Sequence, residues 1–217
     1  MGGTGPEGTG LALRLALAGH DVTIGSRSEE RAEEAAAAVR AKAEGLAVEG
    51  ALNEQAAKTA DVVINTLPYE AQAQSLPGLR EAIAGKLFVS TVVPMKFEKG
   101  VGASAIPVPE GSAAEQAQAM LPEARVAGAF QTLSASNLND VGHALDADVL
   151  VTADDIETRE QVARLVESCA GLRAVDAGRL ANTQYVEHIT CLLVNINRRY
   201  KAHSEVKILG LPQPAPA

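Results

Sequence analysis

Three glycines, Gly3, Gly5 and Gly8, stand in the spacing G-x-G-x-x-G, and Leu11 to Ala18 after them form a run free of proline and β-branched residues. A glycine turn that opens a helix aims several backbone N–H groups at one point. The helix dipole adds partial positive charge there, so the turn can seat a pyrophosphate. The glycines let the backbone approach the phosphates and let the helix pack close to a sheet. The alternative is a glycine-rich turn that binds nothing.

Gly2, Gly5 and Gly8 also read as G-x-x-G-x-x-G, the form used by short-chain dehydrogenases together with a Tyr-x-x-x-Lys pair. Here Tyr69, Tyr185 and Tyr200 are followed four positions later by Ala73, Ile189 and Ser204, so the pair is missing. The spacing is therefore read as G-x-G-x-x-G.

A second set of residues bears on which nucleotide would be chosen. In a dinucleotide fold the residue ending the second strand, about twenty positions past the glycines, faces the adenosine ribose, and an acid there repels a 2′-phosphate. This chain has Gly25-Ser26-Arg27 at that place, with Arg31 one helical turn further on. A hydroxyl and two guanidinium groups suit a 2′-phosphate, which points to NADP(H) rather than NAD. The competing reading is two surface arginines paired with Glu29, Glu30, Glu33 or Glu34.

The rest of the chain offers no acid–base constellation. His20, His143, His188 and His203 have no metal spacing and read as structural or solvated. Asp154-Asp155 before a helix reads as a cap. Arg198, Arg199 and Lys201 either complement a helix C-terminus or meet an anionic ligand. A bound nucleotide cofactor would carry the chemistry itself, leaving the protein to align it and exclude water.

The elements that must position these residues follow from periodicity. Asp21–Ile24 reads as a strand, Ser28–Glu44 as a helix with its stripe on Ala32, Ala35, Ala36, Val39 and Ala43, 47–51 as a weak strand and 53–59 as a short helix. Val62–Leu67 reads as a buried strand, 70–84 as helix in pieces, and 86–93 as the next strand. Residues 95–111 read as a loop over the site, and 112–121 as a helix with a Ser112/Glu115 capping box. Strands at 125–130, 148–153 and 173–176 alternate with a helix at 155–170, and a long helix over 179–203 presents Tyr185, Ile189, Leu192, Leu193, Ile196 and Tyr200 on one face. The alternation gives an α/β fold, a Rossmann-type doubly wound parallel sheet. Such a unit has a hydrophobic strand before its glycines. The chain begins at the glycines, so the expectation is that this first strand is missing from the recorded sequence.

A hydrophobic fraction of 47% in 217 residues allows a sizeable core, and a net charge of −8 argues against nucleic-acid or anionic-membrane binding. No apolar run is long enough for a membrane span, Cys169 and Cys191 read as buried free thiols, and a cytoplasmic location is expected.

The sequence resembles the NADPH-dependent reductases of the deazaflavin coenzyme F420. The likeness rests on Gly-Gly-Thr-Gly at 2–5 with Gly8 and Gly10, Leu-Ala-Leu-Arg-Leu-Ala at 11–16, Gly-Ser-Arg at 25–27, Thr-Leu-Pro at 66–68 and Val-Val-Pro at 92–94. Asp-Ala-Gly at 176–178 and Leu-Leu-Val-Asn-Ile-Asn-Arg-Arg-Tyr-Lys at 192–201 complete it. The resemblance implies a Rossmann domain (1–145), a small C-terminal α/β and helical part (146–210) completing the cleft, and a homodimer. The tail 211–217, rich in Pro and Ala, is expected to be disordered. It implies NADP(H) on Gly3, Thr4, Gly5, Pro6, Glu7, Gly8, Ser26, Arg27 and Arg31, with the nicotinamide near Thr66, Leu67, Pro68, Val93 and Ala135. Coenzyme F420 would lie on Pro94, Gln131 and Leu133, with no catalytic side chain and no metal. Family members often carry His where this chain has Gln131, which can donate and accept hydrogen bonds but does not titrate near neutrality. Two other readings stay open: an NADPH-dependent oxidoreductase of another small substrate, and a non-catalytic NADP-binding sensor.

Overall fold

The computed structural model describes residues 1–211. The glycine turn leads into α1 (Pro6–Leu17), with Gly5 as N-cap and Pro6 at the first helical position, where a missing N–H costs nothing. Then come β1 (Val22–Ser26), α2 (Glu29–Arg40), β2 (Val48–Leu52), α3 (Asn53–Thr59) and β3 (Val62–Asn65). Next are α4 (Tyr69–Ser75), α5 (Arg80–Ile83), β4 (Leu87–Ser90), β5 (Met95–Glu98), β6 (Gly102–Ala105), α6 (Ala113–Met120) and β7 (Arg125–Gly128). The chain closes with α7 (Ala135–Asn139), β8 (Ala147–Ala153), α8 (Ile156–Ser168), β9 (Leu172–Asp176) and α9 (Thr183–Tyr200). Side-chain oxygens cap four helices: Ser28 accepts from Arg31 N–H, Ser112 from Glu115 N–H, Ser134 from Asn137 N–H and Asp155 from Thr158 N–H.

The fold is a Rossmann-type α/β arrangement. β1 and β2 form one parallel pair, and β3-β4-β7-β8-β9 form a five-stranded sheet. β3, β4 and β7 are parallel, as expected of strands that alternate with helices, but β8 runs antiparallel to β7 and carries its parallel partner β9 with it. The reason lies in the 129–146 connection. Its only helix, α7, is five residues long and packs on α1, so the chain re-enters the sheet from the end it left. β4 and β8 are buried along their whole length, which accounts for the apolar runs Leu87-Phe88-Val89 and Val149-Leu150-Val151 at their centres. Leu11, Leu15, Val89, Val149, Val162 and Val166 fill one side of the sheet, and Ile83, Phe88, Leu121 and Val126 the other. Leu13, Ile24, Val39 and Val48 form a separate cluster under β1 and β2.

Between β1 and β3 lies a groove of about 570 Å³, lined by apolar groups including Leu15, Val22, Ile24, Val63 and Ile64. Among the described residues no strand occupies it. Only the first residues cross its upper end. The Met1 nitrogen donates to Ile64 O (2.8 Å), Thr66 N–H donates to Met1 O (3.0 Å), and Gly3 N–H donates to Gly25 O (3.0 Å).

The structure departs from the sequence reading in two further places. Residues 95–111 are not a bare loop, because β5 and β6 form an antiparallel hairpin. Asn195 of α9 acts as its docking partner, accepting Ala103 N–H (2.8 Å) and donating to Ala103 O (2.7 Å). α7 had no counterpart in the periodicity. On α9 the apolar stripe seen in the sequence is split: Tyr185, Leu192 and Tyr200 are exposed, Ile189, Leu193 and Ile196 are half-buried, and the buried face is Thr183, Val186, Glu187 and Cys191. The tail expected to be disordered lies, beyond Leu211, outside the described residues.

Candidate functional site

The glycine turn sits at the C-terminal end of β1. A Cβ on Gly8 would lie 2.5 Å from Gly3 Cα, so Gly8 is required by the turn's own packing. A Cβ on Gly10 would lie 2.6 Å from Leu138 Cβ, so Gly10 is required by the α1–α7 contact. Gly5 is different. Its backbone (φ −81°, ψ 170°) is extended and open to any residue, and an added Cβ would meet nothing within 4 Å. No side-chain oxygen caps the helix it opens. Nothing in the protein's packing calls for glycine there, whereas a ligand seated on the helix end would. Thr4 beside it is half-buried, and Pro6 is exposed.

At the end of β1, Ser26 is buried and its Oγ accepts Ser28 N–H (3.3 Å). Arg27 and Arg31 are exposed, and among the described residues neither forms an ion pair. Glu33 instead binds Arg40 (2.5 Å) and accepts Gly50 N–H (3.2 Å). This removes the reading in which neighbouring glutamates neutralise the two arginines. A Cβ on Gly25 would lie 2.8 Å from Asn53 Oδ1, so packing against α3 also keeps an acid out of this position.

The loops after β3, β4 and β7 form the rest of the rim. Thr66 donates through both N–H and Oγ1 to Met1 O (3.0 Å each), Leu67 is buried against Gly2, and Pro68 caps α4. Thr91 N–H and Oγ1 donate to Asn65 O (3.1 and 3.0 Å), tying the loop after β4 to β3. Val93 is half-buried and Pro94 buried, with Pro94 O accepting Ile106 N–H (2.8 Å). After β7, the fully buried Phe130 takes φ +71°, a strained left-handed turn that swings Gln131 under the rim. Gln131 Nε2 donates to Ser90 O (3.1 Å), and Thr190 Oγ1 of α9 donates to Gln131 O (3.0 Å). Gln131 Oε1 and Ser90 Oγ are both buried with no hydrogen-bond partner. Two such orphans at adjacent strand ends mark a place for a polar ligand. Leu133 is buried, and Ala135 opens α7.

The fold thus brings the glycine turn, Ser26-Arg27-Arg31 and the 66–68, 93–94 and 131–135 segments to the carboxyl ends of the strands, where α/β sheets bind ligands. It also supplies residues that no motif points to. Ser90 and Thr190 carry no motif, and Glu205 comes from the segment after α9. Glu205 accepts Ser134 N–H (2.9 Å) and lies near Glu7. Burial, with the Glu205 charge second, pushes the Glu7 carboxyl up to about 8, and Glu7 Oε1 is buried without a partner. Burial also pushes Glu187 up to about 8, although the N–H groups at the start of α6 oppose it, Ala113 N–H donating at 3.0 Å. Among the described residues no three His, Cys, Asp or Glu side chains gather in a way that could hold a metal ion.

Comparison with known proteins places this arrangement. Residues 1–94 match the family model of F420-dependent NADP oxidoreductases. The F420-dependent NADP reductase of Methanothermobacter thermautotrophicus is 42% identical, the match spanning 98% of this chain and 94% of that one. That of Methanocaldococcus jannaschii is 40% identical over 93% of this chain and 92% of that one. A crystal structure from Arthrobacter sp. FB24, described as an F420-dependent NADP-reductase, superposes with a TM-score of 0.78 at 26% identity, covering 92% of each chain. Plasmodium falciparum pyrroline carboxylate reductase with NADP bound shares the fold, with a TM-score of 0.57 at 12% identity over 91% of this chain and 62% of that one.

Proposed function

The chain belongs to the F420-dependent NADP reductase family, and from that premise we propose that it transfers a hydride between NADP(H) and coenzyme F420. The observation that carries the reading is the bare helix end at Gly5, a cradle that a Cβ would fill and that protein packing leaves open. Gly3, Thr4, Gly5 and Gly8 would hold the pyrophosphate, with Pro6 and Glu7 beside it. Ser26, Arg27 and Arg31 would meet the 2′-phosphate. The nicotinamide would lie along Thr66, Leu67, Pro68, Val93 and Ala135. The deazaflavin would lie over Pro94, Gln131 and Leu133, where the orphaned Gln131 Oε1 and Ser90 Oγ offer hydrogen bonds to a polar ring edge. When bound, the two cofactors supply the hydride donor and acceptor. The protein's part is to hold the rings together and keep water out, with Gln131 fixed by Ser90 and Thr190.

We also propose a cytoplasmic enzyme. No described helix is long and apolar enough to cross a membrane. The outward stripe of α9 (Tyr185, Leu192, Tyr200), with Phe97 and Val101 of the hairpin region, supports a homodimer. The test of function is spectrophotometric. Mixing the protein with NADPH and oxidised F420 should bleach the deazaflavin absorbance as NADPH is consumed. Turnover of NADPH with another carbonyl or imine acceptor and none with F420 would favour a different substrate, and tight NADPH binding without any turnover would favour a sensor.

A further inference from the structure

Asn65 ends β3 as a fully buried amide after the apolar residues Val62-Val63-Ile64. A buried amide is costly unless its polar atoms find partners, and both of these do. Leu67 N–H donates to Asn65 Oδ1 (3.3 Å), and Asn65 Nδ2 donates to Oε1 of Gln72 on α4 (2.9 Å). Gln72 is also fully buried, and its Nε2 donates to Ala113 O and to Gln116 Oε1 on α6 (3.0 Å each). Ala113 is held in turn by Glu187 of α9, which accepts its N–H (3.0 Å). One end of this chain is a backbone carbonyl, which can only accept. Gln72 must therefore turn its nitrogen to Ala113 and its oxygen to Asn65, and Asn65 must turn its oxygen to Leu67. Through two side-chain amides, α6 dictates which way the Thr66–Leu67 peptide faces.

That peptide is trans, so its carbonyl points away from its N–H. The hydrogen bonds around it show where the carbonyl goes. In a parallel ladder the bonds pass alternately between the two strands. Ile64 O accepts from the Met1 nitrogen, Met1 O accepts Thr66 N–H, and Thr66 O would next accept Gly3 N–H. The left-handed turn at Gly2 (φ +66°) breaks the sequence, and Gly3 N–H goes to Gly25 O instead. Among the described residues no donor reaches Thr66 O, which is left open on the side of the glycine turn. On the other edge of β3, Asn65 O is held by Thr91 N–H and Oγ1, so the strand end cannot swing to close the gap.

We propose that Asn65 and Gln72 are positioning residues that aim Thr66 O at the bound dinucleotide, where it accepts a hydroxyl of the ribose next to the nicotinamide. The proposal rests on the NADP(H) reading above. A dinucleotide whose pyrophosphate sits on the glycine turn sends its adenosine half toward β1 and Arg27 and its other half toward β3. The ribose comes first on that side, directly after the phosphates, so its hydroxyls are the donors nearest the end of β3. Anchoring the ribose fixes the ring it carries against Leu67 and Pro68 without touching a reacting atom.

The test is binding, read without turnover, with three probes. NADP+ carries both ribose and ring, 2′-phospho-ADP-ribose keeps the second ribose without the nicotinamide, and 2′-phosphoadenosine 5′-diphosphate lacks both. In the wild-type protein the amide nitrogen resonance of Leu67 reports on the carbonyl of its own peptide, because a hydrogen bond to that oxygen polarises the whole group. It should move with the first two probes and stay with the third. Gln72→Met keeps a similar shape and removes the donors. It should weaken the first two probes by about three- to tenfold, the worth of one neutral hydrogen bond, and leave the third unchanged. A Leu67 resonance unmoved by bound NADP+, or equal changes for all three probes in Gln72→Met, would overturn the proposal with NADP(H) binding intact. A response to NADP+ alone would move the donor to the ring carboxamide and overturn the ribose assignment. Should Gln72→Met fail to fold, the wild-type resonance decides by itself. Failure of all three probes to bind would overturn the cofactor reading, and the proposal with it.

Discussion

Replacing Gly5 with alanine separates what the protein needs from what its ligand needs. In the protein, the new methyl group meets nothing within 4 Å, and the backbone at φ −81° and ψ 170° already suits an L-residue. Restricting the unfolded chain favours the variant by about 0.4–1 kcal/mol, and alanine at an N-cap costs a comparable amount. The stability of the empty protein should therefore change by less than about 1 kcal/mol. The bound state is another matter. A phosphate oxygen accepting from the first-turn N–H groups must come within about 3 Å of the backbone, inside the volume the methyl group would fill. Losing one or two charge-assisted bonds should cost about 1.5–3 kcal/mol each, so affinity should fall at least tenfold. NADPH and NADH should lose equally, since they share the pyrophosphate. Thermal unfolding of the empty variant and calorimetric titration with both nucleotides make the measurement. Unchanged affinity alongside unchanged stability would mean that no phosphate sits on α1, and the proposed cofactor site would have to be abandoned. Gly8→Ala is the control, since its Cβ would strike Gly3 Cα at 2.5 Å and should damage stability and binding together.

Arg27→Ala should act on one nucleotide only. Its guanidinium is exposed and unpaired, so the loss is discounted for solvent to about 1–2 kcal/mol, roughly five- to thirtyfold on NADPH, with NADH nearly unchanged. Titration with both nucleotides checks it, and equal losses would place Arg27 against the adenine or the fold instead. Stability should respond to pH from both sides. Asp148 is 1% exposed, receives two hydrogen bonds from Arg173 (2.8 and 2.5 Å) and is held below the usual carboxylate range chiefly by them, so the stability it adds is present above its unfolded pKa and lost as pH falls through the folded one. Glu187 has the opposite sign. Raised to about 8, it keeps a proton that the unfolded chain releases, so stability should decline as pH climbs from about 4.5 toward 8. Urea midpoints between pH 3 and 9 should give a shallower acid limb in Asp148→Asn and a shallower alkaline limb in Glu187→Gln, and unchanged limbs would contradict these assignments.

The parts of the site that could be read from sequence are those whose chemistry is local. A helix opened by glycines and the Gly25-Ser26-Arg27 corner lie within a few residues of the groups they organise, and the centre of β8 is the apolar run Val149-Leu150-Val151. What could not be read depends on partners far along the chain. β5 and β6 are marginal as a hairpin and are held by Asn195, 92 positions after Ala103. α7 is too short to show periodicity and exists because it packs on α1. The face that α9 turns to its own chain could not be read from apolarity, because it is built on Thr183, Val186, Glu187 and Cys191, two of them polar. Thr190 and Glu205 acquire meaning only when α9 and the segment after it fold back over Gln131 and Glu7.

The dependence of the β5–β6 hairpin on Asn195 bears on which parts of the molecule move together. The segment carrying Val93 and Pro94 runs directly into β5, and Pro94 O is bonded to Ile106 N–H just past the other strand of the hairpin. Asn195 fastens that hairpin to α9 through both backbone polar groups of Ala103. A shift of α9 would therefore be carried to the rim at Val93 and Pro94 through the hairpin, with the parallel strands left in register.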